Sequence, residues 1–324
     1  MRCINRRSIC IIIGCMTGII LLLDGCSGES KMPVTEFETE RYNTGLYEST
    51  LYAEDLCVSE HDVTLEGYEG DTDLHASALF DLNDKKLLYS WQSHERLYPA
   101  STTKIMTALV ALENGNPDDI VTISRTAAAA SFPSDAQVCG LREGEQWSLD
   151  SLLNALLLYS GNDAATAIAE HIAGSEEKFV NMMNDRAKEL MANNTHFMNP
   201  HGLHDENHYT TAYDLYLIFN ECIKNEHFVE IITQDSYTAV FTNPDGSQGQ
   251  TIFEPTNYYA KGIVEEPDNV TIIGGKTGTT GEAGNCLILL ENDSEGDPYI
   301  SIVMGAPDKS TLYEDMTSLI EKIP

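Results

Sequence analysis

Ser101 and Lys104 lie three residues apart at the start of the apolar segment YPASTTKIMTALVALE, residues 98–113. On a helix this spacing places both side chains on one face, where they can touch. A serine hydroxyl becomes a nucleophile when a base removes its proton, and a lysine is a base only when it is neutral, against an ordinary pKa of about 10.4. Burial lowers that pKa. The pair is therefore either a nucleophile with its base or a capping serine beside a solvent-reaching lysine.

The same spacing recurs at Ser175 and Lys178. There Glu176 and Glu177 lie between the two residues and would keep the lysine charged, and the serine stands where a helix N-cap is expected. We interpret this second pair as structural. Since spacing does not distinguish the two pairs, the assignment at Ser101 depends on the residues that accompany it.

Two further motifs follow Ser101 along the chain. Ser160-Gly161-Asn162 lies at a predicted break between two helices, where side chains can project into a cleft. Lys276-Thr277-Gly278 ends a strand-like segment, and the glycines just before it allow a ligand or another backbone to approach closely. SxxK, SxN and KTG in this order are the signature of penicillin-binding proteins and class A β-lactamases. Together they indicate a site for serine acyl transfer.

The chain resembles the low-molecular-mass penicillin-binding proteins that are serine D-alanyl-D-alanine carboxypeptidases. The likeness runs from about Ala76 to the end and includes PASTTKIMTAL, LLLYSGNDAATAIAEHIAGS, NTHFMNPHGL, HYTTAYDL and KTGTTGEAGNCL. Thr279 follows KTG where some relatives carry histidine, which leaves the fine specificity open. The β-rich C-terminal domain and membrane-binding tail of many relatives have no counterpart here, so we expect the N-terminus to provide the anchor.

The resemblance implies an α/β (α+β) fold of the serine β-lactamase and penicillin-binding-protein transpeptidase type. In that fold an antiparallel sheet is flanked by helices, a mostly helical subdomain completes the domain, and the site lies at their junction. The implied catalytic residues are Ser101, Lys104, Ser160 and Asn162. The implied substrate-binding residues are Lys276, Thr277, Gly278 and Thr279.

By this resemblance Ser101 attacks the penultimate D-alanine carbonyl of a peptidoglycan stem peptide ending in D-Ala-D-Ala. Lys104 takes the serine proton, Ser160 relays a proton to the leaving D-alanine, and Asn162 fixes Lys104 and the substrate amide. Water then hydrolyses the acyl-enzyme. We expect no metal and no organic cofactor, and we expect β-lactams to be covalent inhibitors.

The same pattern implies how the substrate is held. Lys276 and Thr277 would grip its terminal carboxylate through charge-assisted hydrogen bonds, and Lys276 would also help to keep Lys104 neutral. The backbone N–H groups of Ser101 and Thr279 would stabilise the oxyanion.

Other hydrolase chemistries fit the sequence less well. The segment HFMNPHGLHDENH contains several candidate zinc ligands, but it lacks HExxH, and Pro200 and Gly202 favour a loop; these ligands are His196, His201, His204, Asp205 and His208. No serine stands in a G-x-S-x-G elbow, which disfavours a Ser-His-Asp triad.

Three readings with the same motifs remain as alternatives. Glu254 and Asn257 are one residue short of the ExxLN spacing of a class A-like β-lactamase, and the family pattern places Asn257 on a strand approaching KTG. A D,D-endopeptidase or transpeptidase would use the same site. A catalytically inactive wall-binding lipoprotein is the alternative outside enzymes.

The elements that must position these residues follow a simple order. SALFDLNDKKLLYSW predicts a hairpin that turns at Asn83-Asp84. Helices are predicted after Pro99, from an N-cap at Ser148, after the SGN break, from an N-cap at Ser175, and through TTAYDLYLIFNECI. Three strand-like segments and a helix over about 309–322 close the chain. Strands at both ends around a helical middle predict one antiparallel sheet built from both chain ends.

The N-terminal 73 residues divide into two predicted segments. Residues 1–26 have a basic start, a short apolar run and the lipobox-like end LLLDGC, which predicts an export signal with lipidation at Cys26. An uncleaved membrane anchor and ordinary cleavage are the alternatives, and all three export the protein. Residues 27–73 are polar and acidic and predict a tether, followed by a catalytic domain over 74–324. We expect this domain at the outer face of the bacterial cytoplasmic membrane, facing the cell wall.

Composition bounds the possible partners. The 324 residues carry a formal net charge of −32, so binding to nucleic acid or anionic lipid through charge is excluded. Beyond Cys26 the cysteines are far apart and without CxxC spacing, which permits disulfides but favours small buried residues; they are Cys57, Cys139, Cys222 and Cys286.

Overall fold

The computed structural model describes residues 55–58, 61–70 and 73–324. Its strands are β1 (Ala76–Asp81), β2 (Lys86–Trp91), β3 (Ile120–Thr122), β4 (Gln146–Ser148), β5 (Tyr237–Thr242), β6 (Gln248–Phe253), β7 (Val270–Thr280), β8 (Gly284–Asp293) and β9 (Pro298–Ala306). Its α-helices are α1 (Lys104–Asn114), α2 (Leu149–Asn154), α3 (Asn162–Ala173), α4 (Glu176–Glu189), α5 (Ala212–Cys222), α6 (Glu226–Ile232) and α7 (Lys309–Ile320).

The main sheet joins the early strands to the late ones. Its order is β2-β1-β9-β8-β7, and every neighbouring pair is antiparallel. The predicted hairpin at Asn83-Asp84 joins β1 to β2, where Lys85 has a positive φ of 56°. The prediction of a sheet built from both ends of the domain is therefore confirmed. β7, which carries KTG, lies at one edge of this sheet.

A second sheet, in the order β3-β4-β5-β6, lies within the segment between β2 and β7. The sequence did not predict it. β3 and β4 have three residues each, which is too short for a periodic pattern to be recognised. β5 and β6 place the apolar residues Val240 and Ile252 at exposed positions, so their sequences lack a clean alternation of apolar and polar residues. Trp147 on β4 stacks on Phe241 on β5, with ring centroids 4.3 Å apart.

α1 runs through the larger hydrophobic core and packs against α3 and α5. All its residues from Lys104 to Ala111 are buried. This explains why the segment is apolar on every side, since such a helix is stable only when its neighbours cover it. Each buried Leu or Ile contributes about 1.5–3 kcal/mol, so the core holds α1 although no side chain caps its N-terminus. A second core lies between the sheet and α7.

Two predicted helix caps are confirmed. The Ser148 side chain accepts the N–H of Ser151 at the start of α2, and the Ser175 side chain accepts the N–H of Lys178 at the start of α4. α2 continues into a π-helical turn over Ala155–Tyr159 that ends at Ser160. The break between α2 and α3 therefore lies at the SGN motif, as predicted.

Residues 55–58 and 61–70 fall within the range predicted as a tether, and they contact the domain. The Cys57 N–H donates to Tyr216 Oη at 2.9 Å, and the Ser90 N–H donates to the Val63 carbonyl at 2.9 Å. The predicted export signal and Cys26 lie outside the described residues. Within the described part of the chain, no helix is long and apolar enough to cross a membrane.

Candidate active site

Ser101 lies in a 3₁₀ turn, Ala100–Thr103, that leads into α1. The threonines of this turn bond back to earlier carbonyls: Thr102 Oγ1 donates to Pro99 O at 2.7 Å and Thr103 Oγ1 donates to Ala100 O at 2.8 Å. Ala100 itself has a positive φ of 48°. These bonds explain why turn-favouring residues stand at the head of an apolar helix, because they shape the turn that presents Ser101.

Lys104 is fully buried, and three oxygens surround its amine. Nζ lies 2.9 Å from Ser101 Oγ, 2.7 Å from Asn162 Oδ1 and 2.6 Å from the carbonyl oxygen of His201. Burial, and secondarily the positive charge of Lys276, lowers the pKa of Lys104 well below its usual value. The Lys104 amine is therefore within hydrogen-bond distance of Ser101 Oγ, and its pKa is shifted toward the neutral form.

Ser160 and Asn162 occupy the junction between the π-helical turn and α3. Ser160 has a φ of 68°, in the left-handed region that a non-glycine residue seldom occupies. This conformation ends the helix and turns the serine side chain toward β7, where its Oγ lies 2.9 Å from Lys276 Nζ. Asn162 begins α3, and its N–H donates to the Gln137 carbonyl at 2.8 Å.

Lys276 is buried at the bottom of the site, and burial lowers its pKa to about 7. Its Nζ donates to the Thr277 carbonyl at 2.7 Å as well as contacting Ser160. The Thr277 side chain contacts Thr256 Oγ1 at 2.5 Å, and Thr279 Oγ1 lies 3.0 Å from Asn285 Oδ1. Neutral pH thus lies close to the pKa of Lys276, and the side chain is divided between its charged and neutral forms.

Gly278 lets β7 approach the turn that carries Ser101. A Cβ at this position would lie 2.9 Å from the backbone nitrogen of Ser101, 3.0 Å from the carbonyl oxygen of Pro99 and 3.1 Å from the backbone nitrogen of Thr102. Only glycine fits this approach without a shift of backbone. Packing against this turn therefore explains why the third residue of KTG is glycine.

The motif residues meet in one cleft of about 820 Å³. Ser101, Ser160, Asn162, Thr277, Gly278 and Thr279 line it, while Lys104 and Lys276 lie buried beneath them. The structure thus brings together all eight residues that the sequence proposed for catalysis and substrate binding.

Sequence reasoning missed several contributors to this cleft. The loop over residues 133–137 forms part of its wall, and Lys309 at the start of α7 adds an exposed cation at its rim. The carbonyl of His201 completes the surroundings of Lys104. The loop over residues 133–137 and Lys309 have no motif of their own, whereas His201 lies in the NPHGL segment that the family resemblance places near the site without assigning a role to its carbonyl.

Ser175 and Lys178 belong to a different environment. Ser175 caps α4 by accepting the N–H of Lys178 at 3.3 Å, and Lys178 is exposed. The structural interpretation of this second SxxK pair is confirmed. Burial, which lowers the pKa of Lys104, is what separates the two pairs.

The histidine-rich segment is built into the domain as a loop. His208 Nδ1 accepts the N–H of Met198 at 3.2 Å, so its Nε2 carries the proton and donates to Thr103 Oγ1 at 2.8 Å. Burial lowers the pKa of His208 to about 4 and that of His201 to about 3. Among the residues with described structure, no group of three or more His, Cys, Asp or Glu side chains is arranged to hold a metal ion.

One strand assignment from the family pattern is wrong. Asn257 does not lie on a strand; it lies in the irregular segment between β6 and β7. Its Oδ1 accepts the N–H of Tyr259 at 3.1 Å, and such a side-chain bond to the backbone two residues on stabilises a turn in place of a strand. The four cysteines at 57, 139, 222 and 286 are free thiols, and Cys139 alone among them is only partly buried.

Comparison with known proteins agrees with this geometry. The family model for Peptidase_S11, D-alanyl-D-alanine carboxypeptidase, matches residues 67–308. The chain belongs to this family. It is 34% identical over 250 residues to D-alanyl-D-alanine carboxypeptidase DacF of Bacillus subtilis, covering 76% of this chain and 61% of the relative. It is 32% identical over 258 residues to DacD of Escherichia coli, covering 76% of this chain and 63% of that relative. The chain thus spans about three fifths of the length of these relatives.

Solved structures confirm the predicted fold of this Peptidase_S11 member. The Streptomyces K15 DD-transpeptidase superposes with a TM-score of 0.72 at 27% identity, over 79% of this chain and 98% of that one. Penicillin-binding protein 5 of Haemophilus influenzae superposes with a TM-score of 0.67 at 30% identity, over 79% of this chain and 71% of that one. An antiparallel sheet flanked by helices is the shared architecture.

Proposed function

We propose that this protein is a serine-type D-Ala-D-Ala carboxypeptidase that removes the terminal D-alanine from peptidoglycan stem peptides through an acyl-enzyme on Ser101. The observation that carries the proposal is the contact of 2.9 Å between Ser101 Oγ and the fully buried amine of Lys104. A neutral amine at that distance can take the serine proton as the oxygen attacks. Membership in Peptidase_S11 supports the same reaction.

In the acylation step the Ser101 oxygen bonds to the carbonyl carbon of the penultimate D-alanine, and its proton passes to Lys104. The C–N bond to the terminal D-alanine then breaks, and the leaving nitrogen takes a proton through Ser160. Asn162 holds the Lys104 amine through its Oδ1 at 2.7 Å and offers its side-chain N–H to the substrate amide. In deacylation a water molecule attacks the ester, which restores the Ser101 hydroxyl.

Lys276 has three roles in this scheme. When charged, it lowers the pKa of Lys104 across the cleft and, with Thr277, binds the terminal carboxylate of the substrate. It also contacts Ser160 at 2.9 Å, so it can support proton transfer to the leaving group. Lys309 at the rim adds a second cation, which matters because the chain as a whole repels anions with a net charge of −32.

The oxyanion is assigned to the backbone N–H groups of Ser101 and Thr279. Gly278 supports this assignment, because its close approach to the Ser101 nitrogen brings the end of β7 beside the nucleophile. Two N–H donors that are fixed before the reaction stabilise the developing negative charge without reorganisation.

The peptidoglycan substrate places this reaction outside the cytoplasm. The basic and apolar N-terminal segment that ends at Cys26 supports export and lipidation. We therefore assign the domain to the outer face of the cytoplasmic membrane, facing the cell wall. β-Lactams, which acylate the serine of such sites, are the proposed covalent inhibitors.

A D,D-transpeptidase with the same site is the second candidate. The Streptomyces K15 DD-transpeptidase favours it, because this chain covers 98% of that one at a TM-score of 0.72. The two activities share the acyl-enzyme and differ in whether water or an amine attacks it. The fate of the acyl group therefore separates them.

The test uses the soluble domain with a fluorescent penicillin and, in parallel, with diacetyl-Lys-D-Ala-D-Ala. We expect persistent labelling and release of free D-alanine, both lost in Ser101→Ala and both retained in Ser175→Ala, since Ser175 is a helix cap with matched SxxK spacing. An unlabelled wild type that releases no D-alanine would refute the proposal. Addition of a D-amino acid acceptor distinguishes the two candidates, because a transpeptidase converts the donor into a new amide and a carboxypeptidase continues to release the shortened acid.

A further inference from the structure

Asp163 is a fully buried carboxylate in the first turn of α3. Its Oδ1 accepts the N–H groups of Cys139 at 2.8 Å and Ala164 at 3.0 Å, and its Oδ2 accepts those of Gly140 at 2.9 Å and Leu141 at 3.0 Å. An ionised carboxylate is an acceptor only, so four donors suit it. A helix N-terminus also favours a negative charge. None of the three motifs accounts for this side chain.

The bonds of Asp163 hold one wall of the cleft in place. Residues 133–137, just before Cys139, line the cleft. The carbonyl of Gln137 accepts the N–H of Asn162 at 2.8 Å, and the Gln137 side chain donates to Tyr159 O at 3.2 Å. A Cβ on Gly161 would lie 2.1 Å from Cys139 Sγ, so the loop packs tightly against the SGN turn. Asp163 therefore clamps this loop to the helix start that carries Asn162.

The same carboxylate stands next to a direct contact of Lys104: Asn162, its neighbour in the first turn of α3, lies with its Oδ1 2.7 Å from Lys104 Nζ. The titratable groups that face Lys104 come from β7, α3, the 139–141 loop and the 196–208 segment: Lys276, Asp163, Cys139, His201 and His208. Burial raises the pKa of the Cys139 thiol well above its usual value and lowers the pKa of both histidines, so these three are neutral at pH 7. Asp163 is then the group that raises the pKa of Lys104 where Lys276 lowers it.

We propose that Asp163 is a positioning residue for acyl transfer: it clamps the 139–141 loop to α3 and balances the charge of Lys276 at the amine of Lys104. A general base must be neutral and still basic enough to take a proton, so its best pKa lies near the working pH. Burial and Lys276 both lower the pKa of Lys104, and Asp163 raises it. The inference rests on the proposed acylation of Ser101.

The test compares the acylation rate by a fluorescent penicillin against pH in wild type, Asp163→Asn and Asp214→Asn. Asp214 is a matched control: it is a buried first-turn carboxylate of α5 that accepts the Asn194 N–H at 2.7 Å and the Thr195 hydroxyl at 2.8 Å, and neither of those residues lines the cleft. Each variant is measured below its own melting temperature.

Without the charge of Asp163 the pKa of Lys104 falls. We expect the acid limb of the Asp163→Asn profile to shift about one pH unit lower and its plateau to fall about tenfold, because the base is weaker. Asp214→Asn should lose stability and keep the wild-type midpoint. An Asp163→Asn profile with the wild-type midpoint would overturn the inference, since loss of the clamp alone does not move a titration.

Asp163→Glu decides the question if Asp163→Asn yields no folded protein. This variant keeps the negative charge and lengthens the side chain by one methylene. The midpoint of its pH profile should therefore stay at the wild-type value, while the plateau rate should fall because the loop is held less well. A plateau at the wild-type rate would overturn the inference. Labelling of the wild type that is lost in Ser101→Ala is measured first. If the wild type is not labelled, the proposed function fails and this inference falls with it, whereas a labelled wild type with an unchanged Asp163→Asn profile overturns the inference alone.

Discussion

Replacing Gly278 with alanine tests whether β7 sets the position of the nucleophile. The new Cβ would lie 2.9 Å from Ser101 N, 3.0 Å from Pro99 O and 3.1 Å from Thr102 N, against an ordinary contact distance of at least 3.4 Å. All three atoms belong to backbone, so no side chain can move aside to relieve the clash. The strand and the turn must separate by roughly half an ångström.

The expected effect on catalysis is larger than the effect on stability. A misplacement of about 1 Å costs roughly 10²-fold in rate, so we expect acylation by a fluorescent penicillin to slow by about 10- to 100-fold. Overpacking of a well-packed region costs about 1–3 kcal/mol, which a urea titration measures. Turnover should fall mostly because acylation is slower, since the turn that carries Ser101 also carries its backbone N–H, the proposed oxyanion donor.

Gly281→Ala is the control for this prediction. Gly281 lines the same cleft, has no positive φ, and would place its Cβ where no atom lies within 4 Å. We expect this variant to acylate at the wild-type rate. A folded Gly278→Ala protein that also acylates at the wild-type rate would show that the contact between β7 and the turn does not position Ser101.

Three further predictions follow from individual side chains. Because burial lowers the pKa of Lys276 to about 7, its charge is lost as pH rises through that value, so KM for a substrate with a free C-terminal carboxylate should increase between pH 6 and 9; a constant KM would contradict its role in binding that carboxylate. Glu291 is fully buried, and burial raises its pKa well above the usual value. Its contribution to stability is full below the unfolded pKa and is lost as pH rises toward the folded pKa, by up to about 1.4 kcal/mol per pH unit; urea titrations at several pH values should show this slope in wild type and not in Glu291→Gln. Ser175→Ala should lower the free energy of unfolding by about 1 kcal/mol through loss of the α4 cap, and loss of penicillin labelling in this variant would contradict a purely structural role.

Short-range sequence rules predict the helix caps, the hairpin and the closing helix. Ser148 and Ser175 are predictable as caps because a capping bond joins residues three apart and needs no distant partner. The hairpin at Asn83-Asp84 and the closing helix were likewise predicted from short-range patterns. The strand assignment of Asn257 failed for the converse reason: it came from a family pattern, and the local bond from its side chain to Tyr259 N–H makes a turn there instead.

The sequence by itself determined the family, the order of the elements and the candidate residues, since motifs and caps are local and can be read in one dimension. It could not decide between Ser101 and Ser175 by spacing, and it did not reveal the second sheet, the His201 carbonyl, Lys309 or Asp163. Those depend on tertiary structure. Burial and the sum of neighbouring charges set the pKa of Lys104, and both arise only when residues distant in the chain pack around its amine.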